Sequence, residues 1–261
     1  MAKFCPLFSG SSGNSTYIST TSGSILVDCG VSLKTLKSAV EKIGDDVSNI
    51  KALFITHEHI DHIQCISTFL KNIKIPVVAS SSTLEALVNA NKIPAGTELV
   101  NIDENRYEIS DIGVNRFATS HDTEGSSGYV FDLGGQRAAV CTDLGVFTDE
   151  IREALMGVRT VLIESNHDIE MLRRGPYPPE LKLRIMSDKG HLSNNACAVE
   201  LPALLNGGTI NFVLGHISQH NNLPTLALST AKSALMDIGA VVGSDYKISA
   251  ARPQNNEVIY L

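Results

Sequence analysis

Residues 51–62, KALFITHEHIDH, set an apolar run directly against six positions, His57 to His62, that hold three histidines and two acids. A short apolar run of this kind reads as a buried strand. In α/β sheets, ligand sites lie outside the carboxyl ends of such strands. The strand is expected to end at Thr56 and a helix to begin near Asp61, which leaves His57 and His59 on an extended turn while Asp61 and His62 open the helix. Four donors then converge from one backbone corner, with Glu58 and Ile60 as spacers that turn away. The spacing H-x-H-x-D-H differs from the i, i+4 histidine pair of helical zinc proteases, so a helix-only zinc site is the wrong template. Neutral imidazole and ionised carboxylate suit zinc, manganese or iron. A histidine-rich surface turn is the plainer alternative, and four donors at one strand end make it the weaker one.

Strand and helix alternate on either side of this corner. STYIST (15–20) and SILVDCG (24–30) read as a hairpin, preceded by the turn cluster SGSSGNS (9–15). SLKTLKSAVEKIG (32–44) starts at a serine cap, carries Leu33, Leu36, Val40 and Ile43 at helical spacing, and stops at Gly44. A helix over DHIQCISTFLKN (61–72), a strand in PVVAS (76–80) and a helix over SSTLEALVNAN (81–91) follow. From TELVNI (97–102) to AAVCTD (138–143) the chain reads as mostly antiparallel strands joined by tight glycine turns. Helix and strand return in FTDEIREALMG and TVLIES. A Pro- and Arg-rich loop then leads to a helix over SNNACAVELPALL, a strand in INFVLGH, a helix over PTLALSTAKSALMDIG and a final strand pair. No repeat or linker divides the chain, so one α/β domain over 1–261 is expected.

Composition narrows the function classes. Apolar residues make up 43% and charged residues 19%, enough for a sizeable core, which excludes a disordered or fibrous chain. The amino terminus offers no secretory h-region, and no stretch approaches the roughly 20 apolar residues that span a bilayer. A cytoplasmic protein without a membrane partner is expected. Five cysteines, scattered and never in a C-x-x-C pair, suit reduced core thiols better than disulfides. The net charge of −7 argues against a broad nucleic-acid-coating surface but leaves room for a local one. Residues 173–189 hold Arg173, Arg174, Lys182, Arg184 and Lys189 against Glu180 and Asp188, which makes either a solvated loop or a phosphate-facing patch.

Further donors stand at strand ends: His121 after FATS, Asp143 after AAVCT, His216 after INFVLG. With the first cluster they make seven candidate ligands, enough for two metals bridged by one carboxylate with a water position left open. The order H-x-H-x-D-H, His, Asp, terminal His, running over nearly the whole chain, resembles the metallo-β-lactamase-fold hydrolases, and ILVDCG looks like that family's early strand ending in aspartate. SGSSGNS, TDLG, ESNHD, GHLSN and GHIS with its following NN are similar to the YycJ (WalJ, VicX) branch, bacterial cytoplasmic proteins with implied DNA exonuclease activity. The resemblance implies a four-layer αβ/βα sandwich, two mixed sheets face to face with helices outside. It also implies two divalent ions, zinc or manganese with iron as a further option: His57, His59 and His121 on one, Asp61, His62 and His216 on the other, and Asp143 between them.

The activity so implied is hydrolysis of a nucleic-acid phosphodiester, DNA rather than RNA, from 5′ ends, by a water ionised between the two ions. Asp61 would orient that water as well as bind metal. His191, in SDKGHLSNNA, resembles the histidine that nucleic-acid-processing branches keep near the leaving group, and it is the candidate general acid. Its plainer alternative is a histidine at a helix start capped by Ser193 or Asn194. Candidate substrate contacts are Ser11 and Asn14 in the serine-glycine turn, His167 in ESNHD, Asn194 and Asn222. Asp28 and Glu164 are candidate supports for ligand histidines. A thioester or lactone hydrolase of the same fold is the competing enzyme class, and a non-catalytic regulatory protein the non-enzymatic one. Oligomeric state is not legible in the sequence.

Overall fold

In the computed structural model, which describes residues 1–261, two seven-stranded mixed sheets face each other. The first half of the chain runs β1 (Lys3–Phe8), β2 (Ser15–Ser19), β3 (Ser24–Val27), α1 (Leu33–Lys42), β4 (Ile50–Phe54), α2 (Ile60–Ile63), α3 (Ile66–Asn72), β5 (Val77–Ala79), α4 (Ser81–Asn89) and β6 (Leu99–Asn101). The second runs β7 (Tyr107–Ile109), β8 (Ile112–Ala118), β9 (Ser127–Asp132), β10 (Arg137–Cys141), α5 (Asp149–Leu155), β11 (Thr160–Glu164), α6 (Ile169–Arg174), α7 (Pro179–Ile185), α8 (Asn194–Asn206), β12 (Asn211–Gly215), α9 (Pro224–Asp237), β13 (Lys247–Ala250) and β14 (Ile259–Tyr260). The strand orders are β14-β1-β2-β3-β4-β5-β6 and β13-β12-β11-β10-β9-β8-β7. Each sheet is antiparallel on one side and parallel on the other, through β3–β6 and through β10–β13.

The strand alternation explains the layers. Successive side chains on a strand point to opposite faces. Ile25, Val27, Ala52 and Phe54 of the first sheet therefore meet Tyr129, Phe131, Val140 and Leu162 of the second in one inter-sheet core. The intervening Leu26 and Leu53 face α1, α3 and α4, while Val161, Ile163, Phe212 and Leu214 face α5, α8 and α9. This is the expected four-layer sandwich. Ser32, Ser80, Thr148 and Ser193 each cap a helix by accepting a hydrogen bond from the backbone N–H three residues on, as the serine starts in the sequence suggest. No helix is long and apolar enough to cross a membrane.

Five elements differ from the sequence reading. The helix expected over 61–72 is two, α2 and α3, because Cys65 N donates to Cys29 O instead of continuing the helical ladder. TELVNI, grouped with the antiparallel strands, supplies β6, which pairs parallel to β5 at the edge of the first sheet. The Pro- and Arg-rich loop is largely helical, with Pro179 opening α7 at a position where a missing N–H costs nothing. The final strand pair is split, β13 joining the second sheet and β14 the first. Strand β1 goes unread because Pro6 interrupts it, and a register shift between Pro6 and Phe8 accommodates the break.

Candidate metal centre

Donors from both sheets meet at the carboxyl ends of the strands. Asp28 follows β3, His57 follows β4, His121 follows β8, Asp143 follows β10, Glu164 ends β11 and His216 follows β12. Asp28, Asp143 and His216 have φ of 62°, 61° and 50°, and only two other non-glycine residues have positive φ. A left-handed backbone costs an L-residue roughly 1–2 kcal/mol. Three such residues at one place mark a site whose side-chain directions override local backbone preference.

The seven expected ligands lie together. His57 Nε2 is 3.0 Å from His59 Nδ1, and His121 Nε2 is 3.4 Å from the same atom. His62 Nε2 is 3.5 Å from Asp61 Oδ2 and 3.4 Å from Asp143 Oδ2. His216 Nε2 is 3.9 Å from Asp61 Oδ2, while its Nδ1 is 2.9 Å from Asp143 Oδ1. Three sets have donor atoms within one ion's reach: His57, His59 and His121; His57, His62 and Asp143; and Asp143, Glu164, His191 and His216. Asp143 belongs to two of them. The expected set of Asp61, His62 and His216 is not among them: Asp61 belongs to none, His62 groups with His57 and Asp143, and His216 groups with Asp143, Glu164 and His191.

The supports are specific. Asp28 accepts from His62 Nδ1 at 2.8 Å and from the N–H and hydroxyl of Thr56, both at 2.9 Å, which fixes the His62 ring with Nε2 toward Asp143. Glu164 Oε1 is 2.8 Å from His191 Nδ1 and 2.9 Å from His216 Nδ1. Gly30 lets the His57–His62 corner seat, since a Cβ there would fall 1.6 Å from Asp61 O. Ile60 does not turn away as its spacer position suggests; it is largely exposed at the rim of a cleft of about 280 Å³. Ser11, His59, Asp61, Asp143, Arg184, His191 and His216 complete that cleft. A larger groove of about 640 Å³ at the amino ends of β11–β13 contains no histidine, so the chemistry follows the donors and not the volume.

Several candidate substrate contacts lie elsewhere. Asn14 is buried under the corner, its Oδ1 accepting from Gly10 N and its Nδ2 within 3.2 Å of Asp61 Oδ2 and 3.0 Å of His62 Nε2, so it holds the Asp61 carboxylate in place of lining a phosphate cleft. Asn194 and Asn222 are buried and bonded to each other, Asn222 also donating to the carbonyls of Ser165 and Asn166. They tie the loops after β11 and β12 together behind the cleft. His167 is buried beside them, and burial lowers its pKa to about 4. None of the three lines the cleft. Only Ser11 keeps a surface position there. Of the basic segment, Arg173 and Arg174 pair with Glu170, Lys182 donates to Arg173 O, and Arg184 alone reaches the cleft. The sequence names Arg184 within the basic segment but does not single it out, because α7 is read as loop.

The donor chemistry fits divalent cations. Asp143 Oδ2 and His216 Nε2 are buried without any hydrogen-bond partner, a costly arrangement unless an ion completes them. Burial opposes a charge on His62, but Asp143 and Asp28 outweigh it and lift the ring to about 9. His216 is likewise raised against burial by Asp143 and Glu164. Without metal, both rings therefore carry protons at neutral pH in place of a cation's charge. Ligand imidazole must be neutral, so metal uptake near pH 7 is expected to release protons and to tighten as pH rises toward 9. Calorimetry in buffers of different ionisation enthalpy measures the release; uptake with no proton release would contradict the arrangement.

Residues 24–217 match the family model of the beta-lactamase superfamily domain. The chain is 31% identical over 252 residues to the exodeoxyribonuclease YycJ of Bacillus anthracis, covering 96% of each. It is 34% identical over 254 residues to the exodeoxyribonuclease WalJ of Streptococcus pneumoniae serotype 2 strain D39, covering 96% of this chain and 94% of the relative. Its fold matches that of zinc-bound PqqB from Methylobacterium extorquens, with a TM-score of 0.73 over the whole of both chains at 14% identity.

Proposed function

The chain belongs to the beta-lactamase superfamily, and from that premise we propose that it is a dinuclear metal-dependent phosphodiesterase that trims DNA from 5′ ends. The observation that carries the reading is the convergence of seven donors from two sheets at one place, with His59, Asp61, Asp143 and His216 lining an open cleft and Asp143 common to two donor sets. The names of the relatives support DNA as substrate.

Divalent ions bound there would polarise a phosphoryl oxygen and lower the pKa of an attacking water. Asp61, partly exposed at the cleft, accepts a hydrogen bond from that water and orients it. His191 sits in the same cleft with Nδ1 donating to Glu164, which fixes the ring and leaves Nε2 without a protein partner. From Nε2 it protonates the departing alkoxide. Ser193 caps α8, as the plainer alternative for His191 also expects, so the acid role rests on the place of His191 in the cleft and its bond to Glu164.

The test is a substrate panel. Protein loaded with zinc or manganese is given duplex DNA labelled at either end, RNA of the same sequence, a chromogenic phosphodiester and a thioester. Mononucleotides released progressively from the 5′ end of DNA are the expected product. Cleavage of the thioester alone would overturn the nuclease reading and return the chain to the small-molecule hydrolases.

A further inference from the structure

Arg184 lies near the carboxyl end of α7, with its Nε 2.5 Å from Asp122 Oδ2. Asp122 Oδ1 in turn is 3.4 Å from His121 Nε2 and 3.6 Å from His59 Nε2. The guanidinium thus stands one carboxylate away from the histidine donors, on the cleft wall, with its side chain 54% exposed. Its backbone is held in place. A Cβ on Gly190 would fall 2.2 Å from Arg184 O and 2.3 Å from Ile185 O, His191 N donates to Ile185 O at 2.9 Å, and His121 Nδ1 is 3.1 Å from Gly190 O. The carboxyl end of α7, the His191 loop and a ligand histidine are therefore one packed unit. Arg184 is also the only Lys or Arg lining a cleft whose acids are Asp61 and Asp143, in a chain of net charge −7.

We propose that Arg184 determines specificity for nucleic acid by binding a backbone phosphate of the entering strand, which replaces Asp122 as the partner of the guanidinium. The inference rests on the nucleic-acid reading above. A planar guanidinium presents parallel donors that match phosphate oxygens. A partly exposed ion pair contributes little net stability, so exchanging Asp122 for phosphate sacrifices little. Until a strand arrives, Asp122 holds the guanidinium at the cleft wall. Phosphate contacts of this kind add affinity without reading base sequence.

The experiment compares Arg184→Gln, Arg184→Lys and Arg174→Gln with the unsubstituted chain. It measures anisotropy of a labelled single-stranded oligonucleotide on metal-free protein across salt concentrations, and steady-state kinetics on metal-loaded protein. Arg184→Gln is expected to weaken binding about tenfold. It should lower the slope of log affinity against log salt by about 0.7. Its KM for DNA should rise about tenfold with kcat within about twofold, the pattern of lost uniform binding. Arg184→Lys should recover the salt slope but only part of the affinity. Arg174→Gln, at a side chain 84% exposed and paired with Glu170 outside the cleft, should match the unsubstituted chain. An unchanged slope and KM in Arg184→Gln, or an equal loss in Arg174→Gln, would overturn the proposal while DNA cleavage by the unsubstituted chain left the nuclease reading standing. Failure of the unsubstituted chain to bind or cleave any nucleic acid would remove both.

Discussion

Asp143→Ala is expected to give a folded chain that takes up less divalent metal than the unsubstituted protein and hydrolyses substrate more than about 100-fold more slowly, beyond the loss typical of residues that only orient a ligand. Asp143 is wholly buried, with Oδ1 2.9 Å from His216 Nδ1 and Oδ2 3.4 Å from His62 Nε2. Burial alone would raise its pKa, yet His216 and His62 hold it well below the usual carboxylate range. It is therefore an anion at any working pH, and it is the donor common to two of the three possible metal sets. Removing it takes away the charge shared by two donor sets and leaves imidazoles with fewer anions to balance a cation. The protein can relieve part of this by losing protons from His62 and His216, so the fold is expected to persist. Metal content by inductively coupled plasma mass spectrometry and circular dichroism separate the two effects, with Asp143→Asn as the variant that keeps the volume. Full metal content with full activity in both variants would show that Asp143 does not bridge.

The reason this residue could be singled out from sequence is the strand before it. AAVC is a buried strand, antiparallel to β9 and parallel to β11, and a polar residue just beyond such a strand has to emerge at the end of the sheet where the strand stops. The same logic reaches His57, His121, Glu164 and His216, and the layer architecture follows from the same alternation of apolar strands and amphipathic helices. What the pattern does not encode is which sheet an edge strand joins. TELVNI and the terminal strands are short, and their partners are decided by tertiary packing rather than by their own periodicity.

Side-chain direction was legible only where a strand or helix fixes it. Asn14, His167 and Asn222 sit in loops and Asn194 at the first residue of α8, and their amides and ring could as well have faced substrate as each other. In the fold the three amides satisfy buried backbone groups, the Asp61 carboxylate and each other, which is the commoner use of a buried amide, while the His167 Nδ1 is buried without a partner. Arg184 shows the opposite failure: the basic segment is visible in the sequence, but only the turn of α7 that begins at Pro179 selects one of its residues for the cleft.

His191→Ala is expected to retain metal while losing turnover on DNA by about 10²- to 10⁴-fold, the range for a positioned general acid. The geometry explains why metal should stay. Glu164 Oε1 keeps His216 Nδ1 at 2.9 Å, and Glu164 Oε2 still accepts from Leu144 N at 2.9 Å and from Leu192 N at 3.3 Å, so the carboxylate remains oriented once the His191 ring is gone. Burial opposes the charge on Glu164, but His191 and His216 together hold it down at about 2, and the carboxylate remains the partner of His216 in the variant. His191 also belongs to a donor set that could itself hold an ion, with Asp143, Glu164 and His216. Metal content decides between these roles: equal metal loss in His191→Ala and Asp143→Ala would make His191 a ligand and remove it as the acid. A second measurement addresses the proton directly. An alkoxide leaving from DNA needs protonation, whereas a nitrophenolate leaving group departs without it, so the defect should be large on DNA and small on a nitrophenyl phosphodiester. An equal defect on both substrates would mean that the ring positions the phosphate and does not donate to the leaving oxygen.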